Sequence, residues 1–283
     1  MIAVLGGLGA AVAWSISTLC SSRSSRMMEP MAVVALIMVV GLVITAPIAA
    51  AHGVPNFDAE SLTWLFISGA GNVGGLVLTY KALRIGQVAL VAPLVSTEGA
   101  IAATISLLAG ESLAPGVGLA LALIALGVCL SSVPESTKNE RRLVHDQTAS
   151  VLFAVAAALV FGTSLYATGR AGSTLPSTWV VLSARLIGTI ALAIPLAVSG
   201  RLPIVRRAVP LIVVAGICEV LGFFSYTAGA RHGIAVAAVL SSQFATIAAV
   251  AAYFLFAERL NRVQLAGVSS VIVGVALLSA LRA

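Results

Sequence analysis

The sequence LLAGESL at residues 107–113 decides the fold of this chain, because a related sequence, FLFAERL, stands at residues 254–260. The two stretches are 147 residues apart, and the same shift aligns the region between Arg23 and Gly127 without a gap. The matched pairs include Arg23 with Arg170, Gly69 with Gly216, Gly75 with Gly222, Glu111 with Glu258, Leu113 with Leu260, and Gly127 with Gly274. The chain therefore consists of two copies of one sequence unit, an internal repeat.

Each unit contains five apolar segments. Hydrophobic residues make up 60% of the chain and charged residues only 9%, whereas soluble domains are about a quarter charged. A helix needs about 20 apolar residues to cross a bilayer. Ten stretches meet this requirement, at about 2–20, 31–51, 62–80, 88–109, 115–133, 149–169, 178–198, 208–228, 235–256 and 263–281, called spans 1 to 10. We predict an all-α polytopic membrane protein with ten transmembrane helices.

The odd number of segments in each unit sets the relation between the halves. Five crossings leave the chain on the opposite side, so the second unit enters the membrane from the other face. We predict two inverted five-helix repeats, at residues 1–134 and 149–283, joined by a polar linker at 135–148. Inverted repeats are typical of secondary transporters, whose substrate site lies between the halves near the bilayer midplane.

The basic residues carry topological information. The odd-numbered connections between spans contain 12 of the 16 Lys and Arg residues, and the even-numbered connections with the C-terminal tail contain 3. Basic residues accumulate on cytoplasmic loops. This distribution predicts that the odd-numbered connections face the cytoplasm and that both termini lie outside.

Several other functions are disfavoured by what the sequence contains. The three cysteines lie within apolar runs and the three histidines form no cluster, so we predict neither a disulfide framework nor a metal site. The net charge of +6 is scattered over loops, without the basic stripe that nucleic-acid binding requires. Motifs of metalloproteases, serine hydrolases and P-loop ATPases are missing, so we expect no enzyme, no ATP-driven pump and no cofactor.

Helical spacing places small and polar side chains on one face of spans 1, 3, 6, 8 and 9. We expect these faces to line a central cavity, and spans 5 and 10 to pack outside. The side chains expected in the lining are Trp14, Ser17, Ser68, Phe161, Ser164, Tyr226, Ser242, Gln243 and Thr246. The alternative is that the same faces form only helix–helix contacts, where Ser, Thr and Gly are also common.

Three ionisable residues fall deep within spans, namely Glu98, Arg185 and Glu219, and Asn72 occupies the position equivalent to Glu219. Charges at this depth are costly and normally face water or a partner. We expect Arg185 to neutralise a carboxylate or to receive a substrate anion. Glu98 or Glu219 would then exchange a proton or meet a substrate cation, a combination that suits a zwitterion such as an amino acid. The alternative is that Arg185 and one glutamate form a fixed structural ion pair.

Glu111 and Glu258 are expected to have a structural role. Each ends one span shortly before another begins. A carboxylate in that place complements the positive N-terminal end of a helix, and we expect each to complement the helix that follows it.

Several short motifs resemble those of a known transporter family. They are the duplicated span ends at 107–113 and 254–260, the glycines Gly127 and Gly274, and the sequences Ala92-Pro93-Leu94 and Ala184-Arg185-Leu186-Ile187. With them the chain resembles the ten-helix EamA-like members of the drug/metabolite transporter (DMT) superfamily over essentially its whole length. The resemblance implies that helices 1–4 and 6–9 surround a central path, with helices 5 and 10 at the periphery. It also implies transport, often efflux, of small metabolites without ATP. Members of that family usually have cytoplasmic termini, whereas the charge count places them outside, and Glu98 is not a general family feature.

The function predicted is that of a secondary active transporter, an exporter of small metabolites such as amino acids, with proton coupling and alternating access around a midplane cavity. A flippase for lipid or lipophilic cargo is the alternative within transport, and an intramembrane enzyme is the alternative of a different class. The partners expected are the bilayer and a small-molecule substrate, with no nucleic acid and with a homodimer left open. The preference for Arg over Lys, 14 to 2, suggests a GC-rich bacterial genome and hence a bacterial inner membrane.

Overall fold

The computed structural model describes residues 1–85, 91, 94–131, 147–256 and 262–282. In the first half the helices are α1 (Ile2–Ser25), α2 (Pro30–Ala51), α3 (Ala59–Ile85), α4 (Glu98–Leu108) and α5 (Pro115–Ser131). In the second half they are α6 (Gln147–Thr174), α7 (Ser177–Gly188), α8 (Ile194–Val198), α9 (Val209–Ala230), α10 (Ile234–Ser241), α11 (Phe244–Phe256) and α12 (Arg262–Arg282). A π-helical turn (Thr189–Ala193) joins α7 to α8. The described residues contain no strand, so the chain is all-helical there.

The helix bounds follow the 147-residue repeat. Shifting α2 by this interval gives residues 177–198, which are the bounds of the continuous helical stretch Ser177–Val198. Within the described residues, six helices are long and apolar enough to cross a membrane, and four shorter helices are also apolar. Of the predicted linker at 135–148, only the last two positions are described, and they begin α6.

Contacts between the halves show that the repeats are inverted. Helix α1 runs antiparallel to α9, with contacts from Gly6 to Ser225 and from Ser17 to Glu219. Helix α3 runs antiparallel to α6, with contacts from Glu60 to Arg170 and from Ser68 to Ser164. Arg231, directly after α9, donates hydrogen bonds to the carbonyls of Gly172 and Leu175 at the end of α6. Helices α1 and α3 therefore start at the end of the bundle where α6 and α9 finish. Since α9 is the repeat equivalent of α3, the halves have opposite orientations.

Spans 4 and 9 are interrupted helices. In span 9 the turn Ser242–Gln243 separates α10 from α11. In span 4 the turn Ser96–Thr97 precedes α4, and of the residues before it only 91, 94 and 95 are described. Shifting Ser96 by 147 residues gives Gln243, so the two interruptions occupy equivalent places. Each repeat thus starts a new helix in the interior of the bundle.

The π-helical turn in span 7 precedes Pro195, the second residue of α8. Proline lacks the backbone N–H that would bond to the carbonyl four residues earlier, and its ring crowds that carbonyl. A wider helical turn accommodates both effects.

Glycines bring the antiparallel helices of the two halves together at equivalent places. A Cβ atom built on Gly75 of α3 would lie 2.6 Å from the ring of Phe161, and one built on Gly222 of α9 would overlap the indole of Trp14. Gly222 and Trp14 are the repeat equivalents of Gly75 and Phe161. Each aromatic ring therefore packs directly on the backbone of the opposite repeat, as small residues permit in helix pairs within lipid.

Helices α5 and α12 pack against each other. Gly127 of α5 lies against Gly267 and Val271, and its equivalent, Gly274 of α12, lies against Ile124. Neither helix contributes a described residue to the central cavity introduced below.

Glu111 complements a helix N-terminus, but the prediction named the wrong helix. Its carboxylate accepts a hydrogen bond of 3.1 Å from the backbone N–H of Ala235, in the first turn of α10, and another from the hydroxyl of Ser106. The acceptor therefore caps a helix of the opposite repeat rather than α5, because the inverted arrangement brings the start of α10 beside the end of α4. Glu258 lies outside the described residues.

Substitution of Gly6 by alanine is expected to destabilise the bundle. The new methyl group would lie 2.5 Å from the Cα atom of Gly229, so α1 and α9 would have to separate. Overpacking of this kind costs about 1–3 kcal/mol, and thermal unfolding in detergent should show a lower midpoint.

The matched control is Gly118→Ala on α5. Gly118 is exposed and has no atom within 4 Å of the built Cβ position, so this variant should unfold at the wild-type temperature or above it. Equal midpoints for the two variants would contradict the close approach of α1 and α9.

Candidate functional site

A cavity of about 560 Å³ lies between the two repeats. This volume is within the range of about 300–1,000 Å³ that is usual for small-molecule sites. Its described lining comes from α1, α2, α3, the segment around Val91, α4, α6, α9 and α11. Both repeats contribute, so the cavity lies at their interface.

Seven of the residues predicted for the site line this cavity. They are Trp14, Ser17, Asn72, Glu98, Phe161, Ser164 and Glu219. Their positions include three pairs of repeat equivalents: Trp14 with Phe161, Ser17 with Ser164, and Asn72 with Glu219. The inverted symmetry therefore places equivalent faces of the two halves around one space.

The other six predicted residues are not part of the described lining. They are Ser68, Arg185, Tyr226, Ser242, Gln243 and Thr246, and all six are buried. Ser68 shares a hydrogen bond of 2.6 Å with Thr168, and the Tyr226 hydroxyl donates to the carbonyl of Leu165 at 2.8 Å. Ser242 and Gln243 both donate to the carbonyl of Val239. The hydroxyls of Ser68, Tyr226 and Ser242 and the amide nitrogen of Gln243 thus form contacts within or between helices, which was the alternative for these faces.

Arg185 is fully enclosed by the protein, with a relative exposure of 0%. Its Nη2 atom lies 3.3 Å from Oε2 of Glu219, and its Nη1 atom lies 3.1 Å from the sulfur of Met38. The guanidinium also stands over the ring of Phe223 at 4.7 Å, a favourable position for a cation. Its aliphatic part packs on Gly41. The charge is therefore held behind the cavity wall and does not reach the interior.

Glu219 connects this buried charge to the cavity. Its side chain keeps 25% of its exposure, and its Oε1 atom accepts a hydrogen bond of 3.2 Å from the hydroxyl of Ser17. One carboxylate oxygen thus faces the guanidinium of Arg185 and the other faces α1. Of the roles considered for Arg185, the geometry matches that of a counter-ion to a carboxylate.

Glu98 also lines the cavity, in the first turn of α4 after the interruption at Ser96–Thr97. A carboxylate in a first helical turn complements the positive end of the helix dipole. The ion pairs within the described residues are Arg185–Glu219 and Arg170–Glu60, so none there involves Glu98. Glu98 is thus the acidic side chain of the cavity wall that lacks a described counter-ion.

Aromatic side chains that the sequence analysis missed complete the wall. Phe223 and Phe244 lie around Trp14, with ring centroids 5.2 and 6.4 Å from the indole, and Tyr80 also lines the cavity. Phe223 follows Gly222, and Phe244 begins α11 directly after the helix interruption. No polar periodicity marks these positions, and only the three-dimensional arrangement identifies them.

The cavity extends towards one end of the bundle. Its lining runs along α1 from Trp14 through Ser22 to Ser25, and then to Pro30 at the start of α2. Ser22 is exposed. The lining thus reaches the end of the bundle that carries the odd-numbered connections, and we call this the open end.

The opposite end is closed by contacts between α3, α6 and α9. Arg170 forms an ion pair of 3.2 Å with Glu60 and stands 5.8 Å from the ring centroid of Trp64. Trp64 in turn packs edge-on against Tyr166 at 5.7 Å. Arg231 binds the carbonyls of Gly172 and Leu175 at 2.6 and 2.9 Å. We call this the closed end.

Comparison with known proteins agrees with this architecture. The family model described as the EamA-like transporter family matches residues 1–133 and again residues 148–280. One solved crystal structure aligns with a TM-score of 0.80 at 18% sequence identity, and the alignment covers 99% of this chain and 96% of the solved chain. At this identity the likeness shows the fold alone. No match was found among curated proteins.

Replacing Glu219 should destabilise the protein more than replacing its partner Arg185. Glu219→Met leaves a guanidinium enclosed without its counter-ion, and loss of one partner of a buried pair costs about 3–5 kcal/mol. Arg185→Met should cost less, because Glu219 borders the cavity and can bind water or a proton. The double variant should be more stable than Glu219→Met alone, as measured by unfolding in detergent. Strictly additive losses would show that the two side chains do not act as a pair.

Proposed function

Because the chain belongs to the EamA-like transporter family, we propose that it is a proton-coupled secondary exporter of small metabolites, amino acids and related amines among them. The proposal includes ten membrane crossings and alternating access around the cavity between the repeats. The cavity is enclosed by a single chain, and we propose one chain as the transporting unit.

One observation carries this proposal, namely a cavity between inverted repeats that is open at one end and closed at the other. A single site with access from one side at a time is what alternating access requires, and inverted repeats supply two related conformations of the halves. In the opposite state the contacts of the closed end, such as Glu60 with Arg170, would separate and those at the open end would form.

Proton coupling is assigned to Glu98. A guanidinium stays protonated in proteins, so Arg185 cannot release its charge, whereas a carboxyl group can bind and release a proton. The ionisable side chains of the described cavity lining are Glu98, Glu219 and Tyr80, and Arg185 stands behind Glu219. Glu219 has a fixed counter-ion, and Glu98 has none among the described residues. The Glu98 carboxylate is therefore the better candidate for reversible protonation.

The orientation of the open end supports the proposal of export. The odd-numbered connections at this end contain most of the basic residues, and basic connections are retained in the cytoplasm. The cavity described here would then load its substrate from the cytoplasm, as an exporter does. We propose this orientation in a bacterial inner membrane, with both termini outside.

Proton movement in proteoliposomes tests the function. A pH-sensitive dye inside vesicles should report proton flux when amino acids and amines are added in turn, and an imposed pH gradient should drive the active compounds across the membrane. Glu98→Gln should reduce gradient-driven flux at least tenfold, because the amide cannot carry the proton.

Glu29→Gln is the matched control. Glu29 is an exposed carboxylate at the start of α2 and is not part of the lining. The flux through the Glu29→Gln variant should therefore equal that of the wild type. Flux in Glu98→Gln that responds to the pH gradient as in the wild type would refute the assigned proton site. The absence of flux for every compound would refute proton-coupled transport.

Cysteine labelling tests the orientation. In a variant without the three native cysteines, Asn56→Cys and Ser199→Cys place single thiols at exposed positions at opposite ends of the bundle. An impermeant maleimide should label Asn56→Cys in intact spheroplasts and Ser199→Cys only after permeabilisation. The reverse pattern would place the open end outside the cell.

A further inference from the structure

The charges that line the cavity have one sign. Glu98 and Glu219 contribute carboxylates, and the described lining contains no Lys, Arg or His side chain. The segments 86–90 and 92–93, next to the lining residue Val91, contain no basic residue in the sequence. An anionic group in the interior would therefore find two carboxylates and no cationic side chain.

Arg185 does not change this balance. Its side chain has no exposure, and Glu219, Met38 and Phe223 enclose its guanidinium. Reaching a ligand would require Arg185 to leave the counter-ion on which its burial depends. The expectation that Arg185 receives a substrate carboxylate thus has no support in the geometry.

The remaining charge belongs to Glu98. With Arg185 and Glu219 compensating each other, an ionised Glu98 gives the interior a net charge of −1. Glu98 is buried, so an unpaired charge there is unfavourable, and a proton or a substrate cation can compensate it. At the equivalent position of the second repeat stands Ala245, which also lines the cavity. The acidic subsite therefore exists on one side only.

Other parts of the cavity wall suit the remainder of such a ligand. Trp14, Phe223 and Phe244 form an aromatic cluster, Phe161 also lines the cavity, and about half of the other lining side chains are apolar. Aromatic faces attract ammonium groups and pack against flat apolar bodies. Hydroxyl groups of Ser17, Ser21 and Ser22 lie along the path from the open end.

From these observations we infer that the cavity selects amphipathic organic cations, in which an ammonium group is attached to an aromatic or apolar body. The ammonium group binds the carboxylate of Glu98, and the body packs against the aromatic wall. This inference rests on the proposed function and names its substrate class. An amino acid shares the ammonium group, but in the described lining its carboxylate would meet only neutral donors, such as the Asn72 amide and serine hydroxyls, and no cationic side chain.

Three matched compounds test the inference by direct binding. They are 2-phenylethylamine, phenylalanine and 3-phenylpropionate, which present the same ring with a cationic, a zwitterionic and an anionic end. Calorimetry on the purified full chain in detergent at neutral pH should show the amine binding at least tenfold more tightly than the other two. Acidification should weaken binding of the amine, since protons compete for Glu98.

The variants locate the site. Glu98→Gln should lose at least tenfold in affinity for 2-phenylethylamine, and Glu29→Gln should bind it as the wild type does. Tighter binding of phenylalanine or 3-phenylpropionate by the wild type would overturn the inference, whatever the variants show. Failure of all three compounds to bind would overturn it as well, and so would unchanged affinity in Glu98→Gln.

Binding and transport can fail separately. If the amine binds through Glu98 but no proton-coupled flux occurs in proteoliposomes, the cation site stands and the transport proposal falls. If phenylalanine binds and moves with protons while the amine does neither, the transport proposal stands and the cation preference falls.

Discussion

The enclosed guanidinium of Arg185 is the constraint on which the charge arrangement of this bundle depends. Arginine keeps its charge, and a charge in the interior of a membrane protein needs a partner. Glu219 is that partner, with Phe223 and Met38 completing the surroundings. This pairing commits one of the two deep carboxylates to structure and leaves the other, Glu98, available for a proton or a ligand.

The helix arrangement follows the sequence repeat, whereas the charged residues of the site stand at positions where the two repeats differ. Where α2 crosses α7, Met38 packs on Gly188 and its equivalent, Arg185, packs on Gly41, so the same contact is made twice with different side chains. The same holds for Asn72 and Glu219 and for Glu98 and Ala245. Each deep charged residue thus has an uncharged residue at the equivalent position of the other repeat. The charged groups of the site are therefore not duplicated, although the helices that hold them are.

The sequence predicted the framework because hydropathy and a fixed shift are properties of composition and order. The 147-residue interval places α2 over the stretch Ser177–Val198, and an odd number of spans indicates inversion without any structure. The interruption in span 9 escaped prediction, because an apolar run has the same composition whether its backbone is continuous or broken.

The site was less predictable for a different reason. Helical spacing identifies a face but not the neighbour that covers it. Ser68 and Tyr226 lie on the predicted faces, yet α6 covers them and accepts or shares their hydrogen bonds. Phe223 and Phe244 belong to the wall without belonging to any polar pattern. The pairing of Arg185 with Glu219 was one of two combinations that the sequence allowed, and only the packing of α7 against α9 distinguishes them.

The charge count of the interior leads to an exchange mechanism under the proposed function. Two carboxylates and one guanidinium leave a net charge of −1, which a single proton or a single monovalent cation neutralises. Binding both would leave an excess positive charge, and binding neither leaves Glu98 uncompensated. Both conditions are unfavourable at a buried carboxylate. The favoured forms of the cavity therefore contain one or the other. A transporter that switches between its two conformations only when the cavity holds one proton or one cation moves a proton in one direction for each cation moved in the other.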